Sequence, residues 1–169
     1  DDGQPKVIDA ERDSLLTAVV VNDLDGGNFP ASHLILATEG SASQGNGIVL
    51  YGRIVKPEAL GVTCGDKVEV LLKAGISVAI KNNSLMYEVT GDAAKQWAEI
   101  RLVARNTPVT VADIAPSQLA AYQGMTVRLR GVTPLSEGVW YESTRKGNIE
   151  FTSSSGEKFT VQVLESAKF

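Results

Sequence analysis

Hydrophobic positions in this chain come in short runs, often on a beat of two. Val68, Val70 and Leu72 alternate with Glu69 and Lys73, the pattern of a strand with one buried and one wet face. Leu15 to Val21 is apolar on both faces and rich in β-branched residues, as expected of a central strand. Further runs follow at Leu34 to Ala37, Ile48 to Val55 and Ala98 to Ala104. Val78 to Ile80 and Leu85 to Val89 flank Lys81-Asn82-Asn83-Ser84, a composition that predicts a hairpin turn. Beyond residue 105, Val127 and Leu129 alternate with Thr126, Arg128 and Arg130. Trp140-Tyr141, Ile149 to Thr152 and Phe159 to Val163 come next, separated by Gly- and Ser-rich turns.

Helical signals are sparse. Pro57 to Leu60 allows about one turn closed by Gly61, and Gly91 to Trp97 allows another. The best helix starts at Pro116 and runs through Gln118-Leu119-Ala120-Ala121-Tyr122, with proline suited to the first position and Gly124 to the exit. Thr110 and Asp113 have capping-box spacing, which predicts a small turn before it. Short, evenly spaced strands with so little helix predict a mainly all-β chain. The expected architecture is an OB-like Greek-key barrel over residues 14–105, after a flexible lead-in over residues 1–13. Residues 106–169 are expected to form a short helix and a second, smaller, OB-like β-unit. A weak echo between "GDKVEVLLKAG" from Gly65 and "GMTVRLRGV" from Gly124 fits two such units but is no repeat array.

Composition narrows the function classes. The 169 residues suffice for one large or two small domains, and 43% apolar with 21% charged residues is a globular balance. No apolar run approaches the ~20 residues that span a bilayer. The chain opens at Asp1-Asp2-Gly3 without a signal-peptide pattern, as expected of a cytoplasmic chain or a processed product. Residues 107–169 carry six Lys/Arg and six Asp/Glu, so the net charge of −4 lies wholly in residues 1–106. Phosphate is repelled by such a surface, which lowers the expectation of nucleic-acid binding. Cys64 is the single cysteine, so no intrachain disulfide and no cysteine zinc site is expected. It reads as a small residue in a partly buried turn before Gly65.

The candidate chemistry is thin. In Asn22-Asp23-Leu24-Asp25-Gly26-Gly27-Asn28 an EF-type count from Asp23 finds Asp25 at the third position, then fails, because Gly27 stands fifth and Leu34 twelfth. Asp23 and Asp25 are thus only a weak cation candidate, and no metal or other cofactor is expected. The segment reads as a hairpin corner in which Asn and Asp accept local N–H groups. His33 is the single histidine, and it could serve Cys64 only through a tertiary accident. Gly40 to Gly47 lacks the Gly-Lys-Ser/Thr of a phosphate loop. A non-enzyme is expected. Basic residues beside aromatics mark the candidate binding faces: Tyr51 with Arg53 in the first unit, and Arg128 and Arg130 with Trp140 and Tyr141 in the second. The plain alternative is a solvated strand face carrying cross-strand pairs.

One resemblance covers residues 14–135. A β-run, Asn22-Asp23, Gly27-Asn28-Phe29, an apolar strand from Leu34, Gly47-Ile48-Val49-Leu50 and Gly65-Asp66-Lys67-Val68-Glu69-Val70 follow one another. Tyr122-Gln123-Gly124 then leads to Gly131-Val132. This series resembles an OB-fold-like domain family, of unknown function, found in secreted and lipid-anchored Bacteroidetes proteins. Ile35-Leu36-Ala37-Thr38-Glu39 departs from the family's Ile-Gln-Asp turn, and the insert Gly40 to Gly45 is long. The resemblance implies an OB-like fold and an extracytoplasmic address, in the periplasm or on the outer cell surface, with a lipid anchor lost on processing or truncation. It carries no catalytic residues. With that source, Asp13-Ser14-Leu15 also fits an O-glycosylation pattern at Ser14. The function expected is a non-catalytic binding or spacer module of a surface or periplasmic protein, with a glycan or a protein as partner. The alternatives are a nucleic-acid-binding OB domain and an accessory domain of a larger secreted hydrolase or nuclease.

Overall fold

A computed structural model describes residues 6–30, 32–45, 47–51, 61–80, 87–90, 97–135 and 147–168. The fold is mainly β. Eight strands pair in the order β1-β6-β7-β4-β3-β2-β5-β8. Their spans are β1 Lys6–Val7, β2 Ser14–Val20, β3 His33–Ala37, β4 Gly47–Tyr51, β5 Lys67–Leu72, β6 Ser77–Ile80, β7 Tyr87–Thr90 and β8 Ala98–Ala104. Every ladder is antiparallel except β4 with β7, which is parallel. The hydrogen-bonded sheet is open, with β1 and β8 at its ends, so the closed barrel expected from the sequence is not reached by pairing among the described residues.

The two-residue beat places the core. Ala18, Val20, Leu34, Leu36, Leu50, Val68, Val70 and Leu72 meet in one buried cluster with Trp97. Burying each Leu or Val there stabilises the fold by roughly 1.5–3 kcal/mol relative to exposure. The opposite face of the sheet is wet only in part. On β2, Leu15 is 63% exposed while Val19, on the same face, is 2% exposed. Val19 stands beside Ala37, and Ile35 beside Val49; all four are buried. Among the described residues the sheet therefore carries a cover over its centre and none over the Leu15 end. Described contacts supply that cover at the β4 edge. The Gly45 N–H donates to the Ala121 carbonyl, and Gln123 and Gly124 lie so close over Gly47 that a Cβ there would collide with their backbone.

The lead-in differs from expectation. Lys6 and Val7 pair with Val78 and Ser77, and the Ile8 N–H donates to Ile76. Asp13 explains why the polar stretch is held. Its carboxylate accepts the Ala74 N–H at 2.9 Å and the Lys73 ammonium at 3.2 Å, tying the start of β2 to the bend between β5 and β6. These bonds hold the Asp13 carboxyl below the usual carboxylate range, the Ala74 N–H first and the Lys73 ammonium second.

The rest of the chain makes smaller pieces. Ala112–Asp113 (β9) pairs in parallel with Val127–Arg128 (β10). The capping turn expected at Thr110–Asp113 is therefore absent: Asp113 is extended, and its carboxylate serves Arg130 instead. Pro116–Tyr122 is helical as expected, in the tighter 3₁₀ form. Val132–Pro134 (β11), Asn148–Ser153 (β12) and Lys158–Gln162 (β13) form an antiparallel sheet. Its core is small: Ile149, Phe151 and Val163 are buried, and Phe151 stacks on its cross-strand partner Phe159 with centroids 5.5 Å apart.

Candidate functional site

The Asn22–Asn28 segment does more than turn the chain. Asn22 is 1% exposed; its Nδ2 donates to the His33 carbonyl and its Oδ1 accepts the Ile35 N–H. Asp23 Oδ1 accepts the N–H groups of Asp25 and Gly26, both at 3.0 Å. So far this is the turn chemistry the sequence predicts. The outer rim of the loop, however, receives the end of the chain. Asn28 Oδ1 accepts the Leu164 N–H at 2.7 Å, Ser166 Oγ donates to the Gly27 carbonyl at 2.7 Å, and the Lys168 N–H donates to the Gly26 carbonyl at 2.7 Å. Gly27 must be glycine on two counts. Its φ is +69°, and a Cβ would run into the Ser166 carbonyl.

A third segment completes the site. Asp66 is 2% exposed, and its Oδ2 accepts the Thr63 N–H at 3.0 Å and the Arg105 guanidinium at 2.8 Å. Arg105 also donates to the Gly61 carbonyl at 3.1 Å. One buried carboxylate and one arginine thus fix residues 61–66. Between the Leu24–Pro30 loop, residues 61–63 and residues 164–166 lies a cleft of about 880 Å³. Leu24, Val62 and Leu164 line it, and Phe29, 39% exposed, contributes an aromatic wall. Asp25 is its carboxylate. The sequence reading missed this cleft, because its walls come from three distant stretches. The one local signal was Phe29-Pro30, an aromatic in a polar, Gly-rich loop.

The predicted site residues separate. Asp23 and Asp25 lie in the loop, and Asp23 is occupied by backbone N–H groups; among the described residues no three His, Cys, Asp or Glu side chains cluster as a metal site would require. Tyr51 ends β4 and packs against His33 at 4.8 Å between centroids. Arg53, Trp140 and Tyr141 lie outside the described residues, as do the turns at Pro57–Leu60 and Lys81–Ser84 and residues 91–96 of the turn expected at Gly91–Trp97. Ser14 is the first residue of β2, partly buried and paired with Leu72.

His33 contacts the Ser32 hydroxyl through Nδ1 at 3.3 Å, and partial burial lowers its pKa below the usual imidazole value while the Glu88 carboxylate pulls the other way. The turn that holds Cys64 is partly buried as expected, through Gly65 and Asp66, while Cys64 itself is exposed. Its thiol reaches the Val21 carbonyl at 3.7 Å. Desolvation around the sulfur, then the Asp23 and Asp66 carboxylates, raise its pKa, which disfavours the thiolate.

Arg128 and Arg130 do come together. Arg130 grips Asp113 through Nε at 3.1 Å and Nη2 at 3.4 Å, and Arg128 approaches the same carboxylate at 3.7 Å. They border a second hollow of about 370 Å³ beside Ser153–Ser155 and Glu157.

No family model, no curated protein and no solved structure matches this chain. Among the described residues no helix is long and apolar enough to cross a membrane.

Proposed function

We propose that this chain is a non-catalytic, OB-like binding module of a bacterial cell-surface or periplasmic protein, and that the Phe29 cleft takes a carbohydrate or a protein segment. The observation that carries the reading is the cleft itself: about 880 Å³, mostly apolar, with an aromatic wall and sides pinned by Asn28, Asp66 and Arg105. Pinned walls and few polar groups suit recognition, since a ligand then meets a preformed surface. Among the described side chains near it no base and nucleophile are in contact: His33 packs on Tyr51, and Cys64 bonds a backbone carbonyl.

Strand pairing supports the OB-like part of the proposal. A meander of β2, β3 and β4 takes a parallel partner, β7, on its third strand and an antiparallel partner, β5, on its first, a non-sequential pairing compatible with an OB-type barrel. The β1–β6 and β2–β5 ladders also run nearly in one register. Eight steps from Lys6 to Ser14 face six from Leu72 to Val78. The extracytoplasmic address rests on the family resemblance alone. The nucleic-acid alternative is disfavoured by Asp25, the carboxylate that lines the cleft.

A glycan array and an oligonucleotide array, both at physiological salt, test this reading with the wild-type chain and Phe29→Ala. Glycan capture that Phe29→Ala weakens at least tenfold supports it. Oligonucleotide binding that falls with added salt, or binding of neutral glycans indifferent to Phe29→Ala, overturns it.

A further inference from the structure

The hollow beside Arg128 is chemically distinct from the Phe29 cleft. Its two carboxylates, the Gln118 amide oxygen and the Ser153 hydroxyl each already accept at least one bond. Both Asp113 oxygens face Arg130. Gln118 Oε1 accepts the Ala115 N–H at 2.9 Å. Glu157 is held by the hydroxyls of Ser117 and Ser155, which keep its carboxyl below the usual range. Ser153 Oγ is taken by Ser155 Oγ at 2.7 Å and by the Glu157 N–H at 3.1 Å.

What stays open, among the described residues, is a set of donors. Arg128 makes no hydrogen bond there; its approach of 3.7 Å to Asp113 is an ion pair beyond bonding distance. The Gln118 amide NH₂ and the exposed Ser154 hydroxyl add further donors, and the hydroxyl can accept as well. A neutral sugar hydroxyl needs acceptors as well as donors, and this hollow has few to spare. A carboxylate needs only donors, and a planar guanidinium fork matches it with two parallel N–H bonds. The charge also selects. Two guanidiniums and two carboxylates line the hollow, so one added negative charge is tolerated better than the near-double charge of a phosphate.

The geometry points to a binding site for the carboxylate of a single sugar acid, with Arg128 as its fork and Gln118 and Ser154 on the ring hydroxyls. A volume of about 370 Å³ sits at the small end of the ~300–1,000 Å³ span of ligand pockets. This suits one residue of an acidic saccharide. A peptide terminus would ask for a side-chain pocket as well. The inference does not depend on the Phe29 cleft.

Amide and arginine Nε–H signals of the whole chain, followed by two-dimensional NMR, test it. The probes are methyl glucuronide, methyl glucoside, inorganic phosphate and a tripeptide with a free C-terminus. The expected result is saturable shifts at residues 113–118, 128–130 and 153–157 with the glucuronide in the millimolar range, none with the glucoside, and at least tenfold weaker binding by Arg128→Gln. Arg128→Gln is expected to fold, since the side chain is exposed and makes one loose ion pair. Arg128→Lys, which keeps the charge without the fork, should lose most of the affinity too. Equal response to glucoside and glucuronide, tighter binding of phosphate or of the tripeptide, unsaturable shifts, or full affinity in Arg128→Lys each overturns the proposal. Phe29→Ala should leave this binding unchanged, so its failure and that of the cleft reading remain distinguishable.

Discussion

The eight-stranded sheet and the three-stranded sheet solve the same problem with different means. The large sheet buries Leu34, Leu36, Leu50, Val68, Val70 and Val89 completely, and its centre is covered on both faces. The small sheet buries three apolar residues and stacks one phenylalanine pair. What fastens the smaller part is largely polar: the Asn28 side chain and the Gly26 and Gly27 carbonyls hold residues 162–168, and the Thr107 N–H donates to the Gly65 carbonyl. Among the described residues, a core of that size offsets less of the entropy of ordering its chain than the large sheet's core does. The larger part is therefore the foundation, and the smaller part owes its place to a seat built into the first loop.

Breaking the foundation should be the costliest test. Leu36→Ala is expected to lose about 2–5 kcal/mol and to lower hydrogen-exchange protection in both sheets. Phe151→Ala should lower it only in β11 to β13, leaving the Val70 amide as slow as in the wild type; equal losses everywhere would make the two parts one cooperative unit. Asn28→Ala removes the acceptor of the Leu164 N–H. A cost of about 1 kcal/mol is expected, with faster exchange at Leu164 and Lys168 and no change in β5. Unchanged exchange at those two amides would mean that Asn28 does not hold the seat.

A milder effect should come with acid. His33 has a pKa lowered from 6.5 by partial burial. Between that lowered value and 6.5 the unfolded chain binds a proton that the folded chain does not. Stability should therefore be full above 6.5 and fall as pH drops through this window, and urea midpoints of His33→Gln should lack the step. The smallest change is expected at the bare end of the sheet. Leu15→Thr should shift stability by no more than about 0.5 kcal/mol, whereas Val19→Thr, on the same face under cover, should cost clearly more in the same urea titration.

Legibility followed distance along the chain. Alternation at Val68, Val70 and Leu72 placed β5, and double-sided apolarity placed β2, because burial writes a period into neighbouring residues. Pro116 and Tyr122 bracketed the helix for the same local reason. Asp23 was legible as a turn residue, since its partners are Asp25 and Gly26. Asn28 was not, because its partner Leu164 lies 136 positions away and leaves no local trace. Arg128 and Arg130 were readable as one strand side, but Asp113, which sets their electrostatics, was misread as a cap. The pairing of Lys6 and Val7 was hidden too: two residues are too few to show a period, and β6, their partner, lies some seventy residues on.

The parallel step between β4 and β7 has a bearing on how the chain is made. While it emerges from the ribosome, β4 exists before β7 does, and one of its edges has nothing to bond until Glu88 and Val89 arrive. Val49 and Leu50 sit on that waiting edge. During those seconds of synthesis it is an adhesive part of the nascent polypeptide, a natural place for a chaperone to hold and for a stalled chain to aggregate.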